Sequence, residues 1–218
     1  MLTCRTGSSL VVDWLCDHSR EHNAAVAWLY LDLGAGKEQS ATSMLGSLLM
    51  QMVSGMERIP QQILQPFHRR MKAIDRRRLQ LGDIVNILQI ITYAQPTFIC
   101  VDAVDECGGV QRAELLDSLK EILERSPRAR IFLTGRPHIQ AEVEKRLAQR
   151  VVSVPISPTN GDITKYLSTR LGEDETPDAM DKSLEEDILK KIPNNTSEMC
   201  VGQWCLVSRP RSHANGTI

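Results

Sequence analysis

The sequence predicts an α/β protein in which a mostly parallel β-sheet carries helices on both faces. Residues 24–33 are almost entirely apolar, and the strands at residues 97–102 and 130–134 have continuous apolar runs at their centres, which is typical of strands covered on both sides. Amphipathic helical segments alternate with them, as in folds built from strand–helix–strand units. With 218 residues, 42% of them hydrophobic, the chain can form a core without disulfides or metals. Ligands of such sheets bind beyond the carboxyl ends of the strands, so candidate residues are expected there.

The first elements are a helix and a buried strand. Residues 8–22 are predicted to be helical because four apolar side chains fall on one side of the segment: Leu10, Val11, Trp14 and Leu15. Residues 24–33 follow as a strand that ends at a glycine-rich segment. Three further helices, separated by glycine or proline, are predicted at residues 40–55, 61–74 and 80–94.

The second half of the sheet begins with the strand at residues 97–102. A clean helical stripe of leucine and isoleucine follows at residues 111–125. Next come the strand at residues 130–134, a helix that Pro137 opens at its favoured first position, and a short strand at residues 151–154.

The pattern changes towards the C-terminus. Residues 1–160 are predicted to form the main α/β domain, and two short amphipathic helices within residues 161–199 predict the start of a helical subdomain. From residue 200 onward the chain contains no Asp or Glu and shows no periodicity. Residues 200–218 are therefore predicted to be an unstructured tail.

Charge and composition exclude several classes of protein. The chain has 26 Lys+Arg against 27 Asp+Glu, and this balance disfavours a nucleic-acid or membrane-surface binder. No uncharged stretch predicts a membrane span, and the N-terminal residues lack the pattern of a secretory signal, so a cytoplasmic location is expected. The six cysteines lack the spacing of a zinc site, and reduced thiols are expected.

Three carboxylates follow the apolar strand at residues 97–102. Asp102 ends the strand, and Asp105 and Glu106 come within the next four residues. An acid at a strand end can hold a hydrated Mg²⁺ bound to nucleotide phosphates, and a second acid just beyond it can activate an attacking water. The alternative is structural: Asp105 and Glu106 favour the N-terminal end of the next helix and lie in a solvated loop.

An arginine follows the next apolar strand. Arg136 comes directly after Thr134 and Gly135. At a strand end close to a carboxylate, an arginine can contact the terminal phosphate of a bound nucleotide. The alternative is a surface arginine beside the helix-starting Pro137.

These two segments, VDAVDEC and LTGRP, lie one strand–helix unit apart and resemble the Walker B and sensor motifs of NACHT-family NTPases. These are signal-transducing P-loop ATPases and GTPases of the NOD-like receptor type. SSLVVDWL, AVAWLYLDL and SMLGSLLMQM are similar to the helix, strand and helix that follow the family's P-loop. The resemblance covers about residues 8–199 and is greatest to a large fungal set that is nephrocystin-like at the N-terminus.

The resemblance implies a P-loop NTPase type of sheet that acts as a nucleotide switch, with Mg²⁺ and ATP or GTP as cofactors. In that mechanism Asp102 holds Mg²⁺, Asp105 and Glu106 position or activate water, and Arg136 senses the γ-phosphate. It also implies protein partners, either a second copy of the chain or full-length relatives. Membrane and nucleic-acid partners are not expected.

One family motif is missing. The family binds phosphate through G-x-x-x-x-G-K-[ST], and the 218 residues contain no such motif. Residues 34–37 (GAGK) do not replace it, because Glu38 stands where Ser or Thr is required and because the segment follows the wrong strand. We expect the P-loop and its strand to lie upstream of Met1, and the chain from Cys200 onward also departs from the family.

The missing strand has a predicted structural consequence. In this class of sheet it lies centrally, between the strands at residues 130–134 and 151–154. Its loss predicts two unpaired strand edges inside the sheet and a marginal fold. It also predicts poor nucleotide binding, and the competing interpretation is a non-enzymatic scaffold that binds no nucleotide and acts through protein interactions.

Two further patterns have simpler explanations. His18 and His22 are spaced for zinc on one helix face, but no third ligand is apparent, so a solvated face is favoured. The densest basic cluster is also explained by an exposed helix end, although it could contact nucleic acid or acidic lipid: Arg69, Arg70, Lys72, Arg76, Arg77 and Arg78.

Overall fold

A computed structural model describes residues 5–32, 40–56, 58–65, 79–147, 151–156, 159–172, 181–196 and 202–208. Contacts between residues divide the chain into two units. The first unit comprises residues 1–153 together with 204–218, and the second comprises residues 154–203.

Five strands and seven α-helices lie wholly within the described residues, beside a helical segment at residues 61–65 whose continuation is not described. The strands are β1 (Ala25–Tyr30), β2 (Thr97–Asp102), β3 (Ala129–Gly135), β4 (Val151–Ile156) and β5 (Gly202–Ser208). The helices are α1 (Arg5–His22), α2 (Ala41–Ser54), α3 (Leu81–Ala94), α4 (Gly109–Arg125), α5 (Gln140–Leu147), α6 (Asn160–Gly172) and α7 (Lys182–Thr196). The helix predicted at residues 61–74 is present at residues 61–65, and its remainder lies outside the described residues.

The sheet has the strand order β1-β2-β3-β5-β4, and β1, β2 and β3 run parallel. In register, Ala27 lies opposite Ile99, and Ile99 lies opposite Ile131. These three side chains belong to the large core, which α2, α3, α4 and α5 complete on one face of the sheet. On the opposite face Cys100 packs against Val12 and Leu15 of α1. The predicted fold class, a mostly parallel sheet with helices on both faces, is confirmed.

The position of β5 corrects two predictions. Residues 200–218 are predicted to be an unstructured tail, yet residues 202–208 form a strand that lies between β3 and β4. The expected pair of unpaired edges inside the sheet is therefore also wrong. A short apolar run such as residues 204–207 has no periodicity that distinguishes a strand from irregular chain, and its pairing partners lie far away in sequence.

The outer edge of the sheet at β1 is covered by a side chain. The amide of Gln51 accepts a hydrogen bond from the Trp28 backbone N–H at 2.9 Å and donates one to the Trp28 carbonyl at 2.8 Å. This pair of bonds imitates a neighbouring strand at one point of the edge. At the other edge of the sheet, β4 contains Pro155, a residue that sheets tolerate in edge strands.

The second unit contains α6 and α7, which pack against each other. Both helices correspond to predicted ones, and α6 begins where Thr159 and Asp162 hydrogen-bond each other's backbone N–H groups. Within the described part of the chain, no helix combines the length and the apolar character needed to cross a membrane.

Candidate functional site

The chain turns sharply at the carboxyl end of β2. Ala103, the residue after Asp102, has a left-handed backbone with φ 57° and ψ 49°, and a short 3₁₀ turn follows at Val104–Glu106. A left-handed conformation is uncommon for residues other than glycine and needs support from its surroundings. Here the Ala103 N–H donates to the Thr134 hydroxyl at 2.9 Å, and the Val104 side chain is fully buried.

Asp102 lies at the junction of two strand ends. Its side chain is buried, and its Oδ1 accepts a hydrogen bond from the hydroxyl of Thr134, near the end of the neighbouring β3. Because that hydroxyl also accepts from the Ala103 N–H, one side chain ties the end of β3 to both the carboxylate and the turn after β2. Thr134 belongs to the LTGRP motif but was not among the predicted site residues.

Asp105 is paired with Arg136 across the same sheet edge. Its Oδ1 accepts from the Arg136 backbone N–H at 3.1 Å, and its Oδ2 lies 3.3 Å from the Arg136 Nε. The Asp105 side chain is 6% exposed and that of Arg136 is 59% exposed. The structure thus brings two predicted site residues into direct contact, with the acid inside and the guanidinium reaching into solvent.

A glycine makes room for this contact. A Cβ at Gly135 would lie 3.3 Å from the Asp105 Oδ1 and 2.7 Å from the Ile139 Cδ1. Ile139 is itself buried, so it cannot swing away without repacking. The side chain of residue 135 must therefore be absent for Asp105 to approach the backbone of β3.

Glu106 is the last residue of the 3₁₀ turn and is half-buried. Its backbone N–H donates to the Ala103 carbonyl at 2.9 Å, which closes the turn. Its predicted part in activating water stays a prediction.

Charged residues outside the predicted set brace the loop that follows β2. Arg112 of α4 donates to the Cys107 carbonyl at 2.9 Å and to the Glu142 carboxylate of α5 at 2.8–2.9 Å. Glu142 also pairs with Arg146, which reaches Asp117 at 2.7 Å. The loop after β2 is thereby linked to the helix after β3, and no sequence motif indicated this link.

Burial keeps the thiols near the site protonated. Desolvation, with a smaller contribution from the nearby Cys16, raises the pKa of Cys100, in β2, to about 12. Desolvation also raises the pKa of Cys107, and the guanidinium of Arg112 opposes this effect. Neither thiol has the environment of a reactive nucleophile.

The strand ends place a buried carboxylate, Asp102, near an exposed guanidinium, that of Arg136. Among the described residues, no three His, Cys, Asp or Glu side chains are grouped so that they could hold a metal. Mg²⁺ sites in nucleotide-binding proteins use one or two carboxylates plus phosphates and water, which a single strand-end acid such as Asp102 can serve. Arg136 is the neighbouring positive charge, and a guanidinium of this kind can bind a phosphate.

A family model described as Nephrocystin 3, N-terminal, matches residues 5–136, more than half of the chain. The chain belongs to this family. The matched segment begins with α1 and ends at Arg136, so it contains all four predicted site residues. The predicted resemblance to nephrocystin-like proteins is confirmed. Comparison with curated proteins and with solved structures gives no match.

The other sequence patterns noted in this member of the nephrocystin 3 N-terminal family do not contribute residues to the described site. His18 and His22 stack with ring centroids 4.0 Å apart, and the His22 Nδ1 lies 3.0 Å from the His18 carbonyl. Within the described part of the chain, no third His, Cys, Asp or Glu completes a metal site with these two histidines. The glycine segment at residues 34–37 and the basic cluster at residues 69–78 lie outside the described residues.

Proposed function

We propose that the carboxyl edge of β2 and β3 is the magnesium and γ-phosphate side of an ATP- or GTP-dependent switch of the NACHT type, in a cytoplasmic signalling protein. The observation that carries this proposal is the pairing of two strand ends by Asp102 with Thr134 and by Asp105 with Arg136. Such a pairing fixes an acid and an arginine beside each other, where charge on a phosphate must be neutralised.

The geometry supports a different role for each acid. Asp102, at the end of β2, would hold hydrated Mg²⁺. Asp105 uses both of its carboxylate oxygens on Arg136, which supports a role in positioning that arginine rather than in activating water. Glu106 is then the acid that would activate water. When bound, Mg²⁺ would neutralise the phosphate charge that the protein meets here.

Arg136 is suited to contact a phosphate. Its backbone N–H donates to the Asp105 Oδ1, and the guanidinium atom nearest to Asp105 is Nε, 3.3 Å from Oδ2, rather than a terminal nitrogen. A guanidinium can give two parallel hydrogen bonds to phosphate oxygens, and the 59% exposure of the side chain leaves it accessible.

The 218 residues by themselves are expected to bind nucleotide poorly, since they contain no G-x-x-x-x-G-K-[ST] cradle. Titration calorimetry with ATP or GTP and Mg²⁺ should give no saturable binding at a dissociation constant of about 10 μM or tighter, equivalent to about −7 kcal/mol. Tighter binding would contradict the assignment of most phosphate contacts to that cradle.

The site itself is tested by placing a phosphate-binding strand and loop from a nephrocystin-like relative before Met1 and by ending the chain at residue 200, so that β5 no longer occupies the sheet position beside β3. In that protein Asp102→Asn should abolish Mg²⁺-dependent binding, while Glu106→Gln should keep binding and slow hydrolysis. Asp187→Asn, which removes an exposed charge from α7, is the matched control and should change neither. Equal loss of binding in the Asp102 and Glu106 variants would show that the acids serve only the fold.

The second candidate function is a scaffold that binds no nucleotide and acts by contact with a second copy or with full-length relatives. The observation that favours it is β5, which fills the interior of the sheet from within this chain. Sedimentation of the purified chain distinguishes the two: stable dimers, with no nucleotide binding even after the added segment, would favour the scaffold.

A further inference from the structure

The last described strand of the chain lies inside the sheet. β5 is hydrogen-bonded to β3 on one side and to β4 on the other. Residues 204–218 belong to the first unit, although the segment before them, residues 154–203, forms a unit of its own. The chain thus leaves the first unit after residue 153 and returns to it to insert one strand.

An interior strand uses its backbone on both sides. Every residue of β5 offers an N–H and a carbonyl, and these groups alternate between the two neighbouring strands. If β5 left, β3 and β4 would each present an unpaired edge, because they are not neighbours in the sheet. Such edges attract any available strand.

We propose that β5 is a built-in plug, the β5 plug, which fills the position between β3 and β4 from within the chain and keeps every other strand out of it. Strands in a sheet lie about 4.8 Å apart, so two strands separated by one other strand leave room for that one alone. The strands kept out include one that carries a phosphate-binding loop, and this last clause rests on the proposed function.

The plug borders the candidate site directly. β3 carries Thr134 near its end and leads into Arg136, and β5 is hydrogen-bonded to that strand. Whichever strand lies beside β3 therefore decides what stands next to this strand end. Occupation by the β5 plug is an autoinhibitory arrangement, because the position is filled without a phosphate-binding loop.

Hydrogen exchange of the unmodified chain provides the first test. The amides of residues 202–208 should exchange as slowly as those of β2, since both are interior strands. Exchange of residues 202–208 at the rate of an unfolded peptide would overturn the proposal.

A proline variant provides the second test. Cys205→Pro removes one ladder N–H and disfavours an interior strand. Protection should fall at least tenfold in both β3 and β4, while β1, the strand farthest from β5 in the sheet order, stays protected. Ala214→Pro, which lies beyond β5, is the control. Unchanged protection of β3 and β4 in Cys205→Pro would refute the plug. If this variant unfolds throughout, the exchange rates of residues 202–208 in the unmodified chain decide whether the proposal holds.

A synthetic peptide tests exclusion without nucleotide. A biotinylated peptide of residues 202–208 should bind Cys205→Pro at least tenfold more tightly than the unmodified chain, by adding a strand to the opened position. The same peptide with proline at position 205 should bind neither. Equal binding to both proteins would show that β5 excludes nothing. Because no readout involves ATP or GTP, failure of the plug and failure of the proposed switch are distinguishable.

Discussion

The two halves of the sheet are held together in different ways. Between the ends of β2 and β3, side chains make the specific contacts, through Asp102 with Thr134 and Asp105 with Arg136. Between β3 and β4, the connection is the backbone of β5. Side-chain contacts require particular residues and leave motifs in the sequence, whereas backbone pairing can be made by many sequences. The strand ends of the first half were therefore marked by motifs, whereas no motif marked the strand that lies beside β3 in the second half.

The largest effect is expected from proline substitutions, which compare the two halves of the sheet directly. Cys100→Pro in β2 and Cys205→Pro in β5 place the same substitution in two interior strands. Each should lower the free energy of unfolding by about 3 kcal/mol or more, because each removes a ladder N–H. Urea denaturation followed by circular dichroism measures both. A loss in Cys205→Pro that is several times smaller than in Cys100→Pro would show that β5 contributes little to the sheet.

The next effect concerns the buried hydroxyl at the site. Thr134→Val removes the group that bonds both Asp102 and the Ala103 N–H. It should cost about 1–3 kcal/mol, because the buried Asp102 carboxylate and the part-buried Ala103 N–H both lose a partner. Thr169→Val on the exposed side of α6 removes only an exposed bond to the Lys165 carbonyl and is the control. Equal midpoints for the two variants in urea denaturation would contradict the role given to Thr134.

The fit of Asp105 against β3 is tested with two glycines. Gly135→Ala should destabilise the chain by about 1–3 kcal/mol, since the added methyl would crowd Ile139 and Asp105. Gly82→Ala in α3 meets no atom within 4 Å and should be neutral or stabilising by up to about 1 kcal/mol. In thermal melts, the melting temperature of Gly135→Ala should fall, and that of Gly82→Ala should stay unchanged or rise. A stable Gly135→Ala would show that the strand ends lie farther apart.

The smallest effect is expected for the charge of Asp105. Asp105→Asn keeps an acceptor for the Arg136 N–H but loses the ion pair, which should cost less than about 1 kcal/mol because the guanidinium is mostly exposed. The difference in the free energy of unfolding between Asp105→Asn and the unmodified chain, measured by urea denaturation, should shrink in 1 M salt, which screens exposed charges. A salt-independent loss of several kcal/mol would mean that the pair is desolvated.

Some parts of the candidate site could be predicted and others could not. The placement of Asp102, Asp105 and Arg136 at one edge of the sheet could be predicted, because these residues directly follow apolar strands and neighbouring parallel strands end at the same edge. That Asp105 would pair with Arg136 could not be found in this way. It depends on the left-handed turn at Ala103 and on the missing side chain at Gly135, which act only once β2 and β3 are adjacent.

The sequence by itself determined the apolar strands, the amphipathic helices between them and the family, because burial and periodicity leave their mark on residue type. Only the tertiary structure decided which strand lies between β3 and β4, and that Gln51 would cover the outer edge at Trp28. Both outcomes depend on backbone N–H and carbonyl groups, which nearly every residue carries alike. The partner of such a group is chosen by proximity in space, and residues far apart in the chain become close only when the sheet has formed.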